Sequence, residues 1–250
     1  MKKIWEIFPK LAEAVRNTHL ELGMTGSGHD FEHAARVGQY AYFVAVNENY
    51  EMAMSYSDLA GAAGLCHNAD RLLQKKLGLD RRADVPEGEI KNLVRQWLEK
   101  EPPFQYAGFA KDGWEIAWKD NVTNAVLKHG GKNDESDSPV LKALMDADRL
   151  VNIELDLVIR CGQFQPDLPA VDFAHLLSDP TATYKDPKSV LRDIASSLEW
   201  ETDPRFALRT PKAIEMGKAR FAALHFFMDT LLGQINESGL VPYPFSPISQ

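Results

Sequence analysis

Apolar side chains recur at helical spacing along almost the whole chain, and hardly any segment alternates with the period of two that a half-buried strand requires. Residues 2–22 place Ile4, Phe8, Leu11 and Val15 on one stripe. The segment MTGSGHD breaks that pattern with glycines and ends in Asp30, a good N-cap. A second helix is expected from Phe31 to about Asn49, with Ala34, Val37, Ala41 and Val44 inward. A third runs from Asp58 to about Leu77, and the small residues of LAGAAGLC in its first half point to close helix packing.

Helices over 86–100 and 112–129 follow, the latter stopped by the C-cap signal of Gly130 and Gly131. Residues 138–160 read as the longest clearly apolar helix, with Asp146 and Asp148 inside it. The stretch 161–187, rich in Pro, Asp and Gly, reads as an irregular excursion with a short helix near 170–177. Helices over 187–199 and 210–237 close the pattern, and the tail VPYPFSPISQ reads as extended or loose. The expectation is an all-α bundle with irregular loops, one domain over residues 1–250, and no strand beyond a short hairpin.

Composition narrows the function classes. The 250 residues are 44% hydrophobic and 26% charged, enough apolar content for a continuous core and too much for a disordered chain. The formal charge of −8 argues against general nucleic-acid binding, which needs a basic face. A metal ion with a few local cations would still let an acidic protein hold a small phosphate. Only Cys66 and Cys161 occur, so this is not a secreted disulfide framework, although one disulfide is formally allowed. MKKIWEIFPKLAEAV reaches glutamate and proline too early for a signal-peptide core, and no apolar run approaches the ~20 residues of a membrane span. A reducing cytoplasm is the expected compartment, with no membrane partner and self-association left open.

Three short segments carry candidate chemistry. In GHDFEHAARV, Asp30 as N-cap puts His33 in the first turn, where the helix dipole disfavours the charged imidazole and a neutral ligand results. The alternative is a core-edge histidine bonded to a carbonyl. In GLCHNADR, His67 aligns with Ala60 and Ala63 and faces inward, with Asn68 about 100° round the helix. In LMDADRL, Asp146 lines up with Ala143, Leu150 and Ile153, and Asp148 with Leu144, Val151 and Leu155. Carboxylates in a buried stripe need cations or several donors, either a salt bridge to Arg149 or Arg36 or a metal ion.

Taken together and in this order, the segments resemble the HD superfamily of metal-dependent phosphohydrolases. That pattern has a histidine at an HxxRV-like helix start, a His-Asp pair closing a small apolar helix, and a distant aspartate in a DADRL-like segment. The resemblance spans about residues 20–235 and includes AVLKHGG and the Thr-Pro of RTPKAIEMGKARFAAL. It implies an HD-domain-like helical bundle in which His33, His67 and Asp146 bind one divalent ion, with Asn68 where the family has aspartate. A neutral amide in that place favours Mn²⁺, Fe²⁺, Ni²⁺ or Zn²⁺ over Mg²⁺.

Asp70, three residues after His67, either replaces the missing carboxylate, acts on a metal-bound water, or pairs on the surface with Arg71 or Lys75. His129, flanked by Lys128 and Lys132, either caps the last carbonyls of its helix or faces phosphate oxygens. Arg36, one turn from His33, is expected to meet substrate or Asp146. The implied activity is hydrolysis of a phosphate ester or anhydride, with a nucleotide the first substrate expected. The alternative is a degenerate member that binds a nucleotide or partner without catalysis. His29 and Asp30 read as supporting or capping residues, and His19, His175 and His225 as structural.

Overall fold

A computed structural model describes residues 2–26, 28–48, 53–80, 83–101, 114–183 and 185–241. Among these the chain is helical, with one isolated antiparallel bridge between Thr183 and Asp186, so the all-α expectation is met. The 242–250 part of the expected loose tail lies outside the described residues.

The helices are α1 (Ile4–Ile7), α2 (Pro9–Glu21), α3 (Phe31–Val46), α4 (Ala53–Cys66), α5 (Ala69–Leu77) and α6 (Glu87–Leu98). They continue as α7 (Trp114–Lys128), α8 (Pro139–Val151), α9 (Leu157–Phe164), α10 (Val190–Ser196), α11 (Glu199–Thr202) and α12 (Pro211–Glu237). Three expected helices are therefore broken. Residues 2–22 divide at Phe8, because Pro9 lacks an N–H to continue the helix and instead opens α2. The 58–77 helix breaks at His67 and Asn68, and the 138–160 helix at 152–156. The expected 170–177 helix is a run of turns, and 187–199 resolves into α10 and α11.

Local signals account for the retained ends. The Asp30 carboxylate accepts from His33 N at 3.0 Å, and Ser138 Oγ accepts from Leu141 N at 3.2 Å with Pro139 in the first turn. Gly78 closes α5 in the left-handed region.

The small residues have a tertiary reason. A Cβ added at Gly64 would lie 2.5 Å from Gly38 Cα, and one at Gly38 would lie 3.0 Å from Gly61 O. Gly61 in turn faces Tyr42, so pairing runs from residue 42 opposite 61 to 38 opposite 64, and α3 and α4 are antiparallel with backbones nearly touching. That arrangement brings the start of α3 against the end of α4. Helix α8 packs on both, and a continuous core reaches from Ile4 to Ile235 through Phe8, Leu65, Trp118 and Leu144. Cys66 and Cys161 are buried free thiols.

Candidate metal centre

His33 and His67 meet because of this packing. His33 stands in the first turn of α3, fully buried, with its backbone N–H held by Asp30. His67 occupies the break after α4, and its Nδ1 lies 2.7 Å from Gly64 O. A carbonyl only accepts, so Nδ1 carries the proton and Nε2 presents a lone pair. The two Nε2 atoms are 3.2 Å apart.

The third member comes from α8 and is Asp148. Its Oδ1 lies 3.6 Å from His33 Nε2 and 3.7 Å from His67 Nε2. A triangle of those sides has a point about 2.0 Å from every corner, the bond length of zinc to imidazole nitrogen or carboxylate oxygen. His33, His67 and Asp148 thus form a group that could hold a metal ion.

Asp146, expected as the ligand, lies elsewhere. Both its oxygens accept from Arg209 N at 3.1 Å, and Oδ2 also takes Thr210 N and Thr210 Oγ1 at 2.7 Å each. It anchors the start of α12. Positions two apart on a helix are separated by about 200°, so only one of the two aspartates can face the histidines. Neither Arg149 nor Arg36 forms the salt bridge considered for Asp146. Arg36 instead pairs with Glu154 at 2.8 Å and Asp156 at 2.7 Å, away from the histidines.

The electrostatics favour a cation. Burial lowers the pKa of His33 and takes that of His67 down to about 3, so both imidazoles are neutral at pH 7. Burial alone would raise Asp148, but the hydrogen bond with His33 and the neighbouring His67 and His129 rings hold its carboxyl below the ordinary range. Asn152 Nδ2 also donates to Asp148 Oδ1 at 2.9 Å. The result is one negative charge beside two neutral imidazoles, a donor set that suits a borderline divalent ion once His33 Nε2 gives up its proton. One contact opposes it. An ion on His33 Nε2 puts the ring proton on Nδ1, which faces the Arg160 guanidinium at 3.4 Å, the outer limit of a hydrogen bond.

Two further imidazoles surround the group. The His129 ring centroid is 5.5 Å from that of His67, and its Nδ1 bonds to Val126 O at 2.6 Å, so it caps a carbonyl of α7 and faces the cluster at once. The His29 ring is 5.4 Å from His33, and its buried Nδ1 has no hydrogen-bond partner. Asn68, buried, directs Nδ2 toward His29 O at 3.4 Å. Asp70 accepts from Arg71 N at 2.8 Å with Arg71 Nε at 3.6 Å, the local pairing considered for it. Lys128 and Lys132 are exposed around the end of α7.

Beside His29 and Arg160 opens a cavity of about 320 Å³, whose walls include Asp70, Arg71, Phe164, Lys185 and Trp200. Sequence reasoning missed Asp148 as the carboxylate that meets the two histidines, together with Arg160 and this cavity. The signal for Asp148 was the Thr-Pro before α12, because Thr210 supplies the donors that occupy Asp146. Comparison of the chain with known family models, curated proteins and solved structures finds no match in any of the three. Among the described residues no helix is long and apolar enough to cross a membrane.

Proposed function

We infer that the protein is an HD-type metal-dependent phosphohydrolase acting on a small phosphorylated compound, a nucleotide being the first candidate. The observation that carries this reading is the meeting of His33 Nε2, His67 Nε2 and Asp148 Oδ1 from three separate elements, in the order of the HD pattern, with Asp148 taking the place assigned to Asp146. A divalent ion held there, of the Mn²⁺, Fe²⁺, Ni²⁺ or Zn²⁺ class, supplies Lewis acidity to a phosphoryl oxygen and acidifies water.

The chain's own residues do the rest. Asn68 offers a neutral carbonyl oxygen next to His67. Asp70, on the cavity wall, orients the attacking water or takes its proton. Arg71 and Lys185 offset phosphate charge, and Phe164 and Trp200 give the organic part apolar walls. His129 stands beside His67 as a donor to the leaving group, and Lys128 and Lys132 add positive charge nearby. The test is elemental analysis of untagged protein with a phosphate-release screen in Mn²⁺. Bound metal and turnover lost in His67→Ala and Asp148→Ala are expected, and a metal-free, inactive protein overturns the reading.

Asn68 favours a second reading, a protein that binds such a ligand without hydrolysing it. Asn68→Asp separates the two. A gain in metal affinity and turnover marks the natural centre as attenuated, and a loss makes asparagine the working ligand.

A further inference from the structure

The excursion between α9 and α10 holds a second convergent group. Asp172, His175 and Asp179 bring one ligand atom each to within 4.8 Å of one another. The two aspartate side chains are only 8% and 13% exposed, whereas His175 is 42% exposed. Nothing in the HD pattern uses these residues.

The oxygens divide in an informative way. Asp172 Oδ1 accepts from Ala174 N at 2.9 Å, and Asp179 Oδ1 accepts from Thr181 N and Thr181 Oγ1 at 2.7 Å each. The other oxygen of each, Oδ2, turns toward His175 Nδ1, at 2.8 Å for Asp172 and 3.9 Å for Asp179. That nitrogen bears a single proton, so it satisfies Asp172 and leaves Asp179 Oδ2 beyond hydrogen-bond reach. Two carboxylates turned toward one nitrogen favour a positive charge beside them, supplied by a protonated His175 ring or by a bound ion. The nearby ammonium of Lys188 is bonded to Asp186.

We propose that Asp172 Oδ2, His175 Nδ1 and Asp179 Oδ2 form a second divalent metal site that fastens the excursion. Bonds of about 2.0–2.2 Å to zinc put neighbouring ligand atoms about 3.3 Å apart, so contacts of 2.8 and 3.9 Å need adjustments of about half an ångström. One imidazole and two carboxylates suit Zn²⁺ or Mn²⁺ better than Ca²⁺, which takes oxygen alone. The consequence reaches the cavity. Lys185 lies in the same excursion and lines the wall, and the segment is tied to α10 by Val190 N to Pro169 O and Leu191 N to Ala170 O, each 3.0 Å. A bound ion therefore steadies one side of the cavity while standing apart from the central histidines.

The test is a Zn²⁺ titration of the metal-free, ¹⁵N-labelled full chain, followed through long-range ¹H–¹⁵N correlations of the histidine rings, with His175→Gln assigning the signal. The expected result is that His175 becomes the Nε2–H tautomer with Nδ1 coordinated. Asp179→Asn should weaken that step by at least about tenfold and leave the His33 and His67 signals unchanged. A His175 ring that keeps its Nδ1 proton through several equivalents of Zn²⁺ overturns the proposal, as does unchanged affinity in Asp179→Asn. Because the central rings report separately, the two sites succeed or fail independently.

Discussion

The cluster of His33, His67 and Asp148 and the cluster of Asp172, His175 and Asp179 use the same residue types and are built in opposite ways. In the first, packing places the side chains: two antiparallel helices touch through glycine, and their ends carry the histidines. In the second, turns and short-range hydrogen bonds do the placing, within eight residues of chain. The first buries neutral imidazoles, and the second keeps its imidazole half-exposed beside two carboxylates. Dependence on the distant core should therefore distinguish them.

The largest expected effect comes from Gly64→Val. Its Cβ would already meet the Gly38 backbone at 2.5 Å, so α3 and α4 must separate. A loss of about 3 kcal/mol or more in urea unfolding is expected, with central metal binding abolished and the His175 ring spectrum retained. Next is Asp146→Ala, which strips the acceptor from Arg209 N, Thr210 N and Thr210 Oγ1. Several unsatisfied buried donors predict about 2–4 kcal/mol lost. Asp148→Ala, by contrast, should remove metal binding with a smaller loss of stability. Were Asp146 the ligand, that contrast would reverse.

Metal itself comes third. An ion at a hundred times its Kd should stabilise the fold by about 2.7 kcal/mol, and His67→Gln should remove the central share of the gain in melting temperature.

Acid distinguishes the regions by sign in the metal-free protein. The folded pKa values of His33 and His67 lie below the unfolded value, so the unfolded chain binds more protons. Stability should fall as pH drops below about 6.5, down to about 3 for His67. His175 is raised instead, first by its hydrogen bond with Asp172, so its contribution is present below about 6.5 and fades as pH rises through its folded value. Urea midpoints of His67→Gln and His175→Gln across pH 4–8 read the two opposite slopes. The smallest effect is the stability change in Asp179→Asn in the metal-free protein, within about 0.5 kcal/mol, since without an ion its bonds hold only the turn at Thr181.

Much of the architecture was legible along the chain. Helical periodicity, the Asp30 cap, the small residues of LAGAAGLC and the Gly130–Gly131 stop are local signals; they located α3, α6, α7 and α12 to within a few residues and placed α4 and α5 within one expected helix. The same periodicity ran through the breaks at Phe8, at His67 and Asn68, and at 152–156, because a helix and a helix–break–helix keep similar apolar spacing. Ligand choice was less legible. Asp146 and Asp148 stand on different sides of one largely buried helix, and nothing within LMDADRL says which of the two sides turns toward the histidines.

The sequence by itself determined that the chain is helical, that His33 begins a helix behind Asp30, and that His67 follows a helix made of small residues. These follow from spacing, capping and side-chain volume, which act over a few residues. Only the tertiary structure decided that Asp148 joins the histidines while Asp146 holds α12, and that Arg36 pairs with Glu154 and Asp156. Those outcomes depend on which donors arrive from more than sixty residues away, and Thr210 and Arg209 reach Asp146 only when α12 docks against α8.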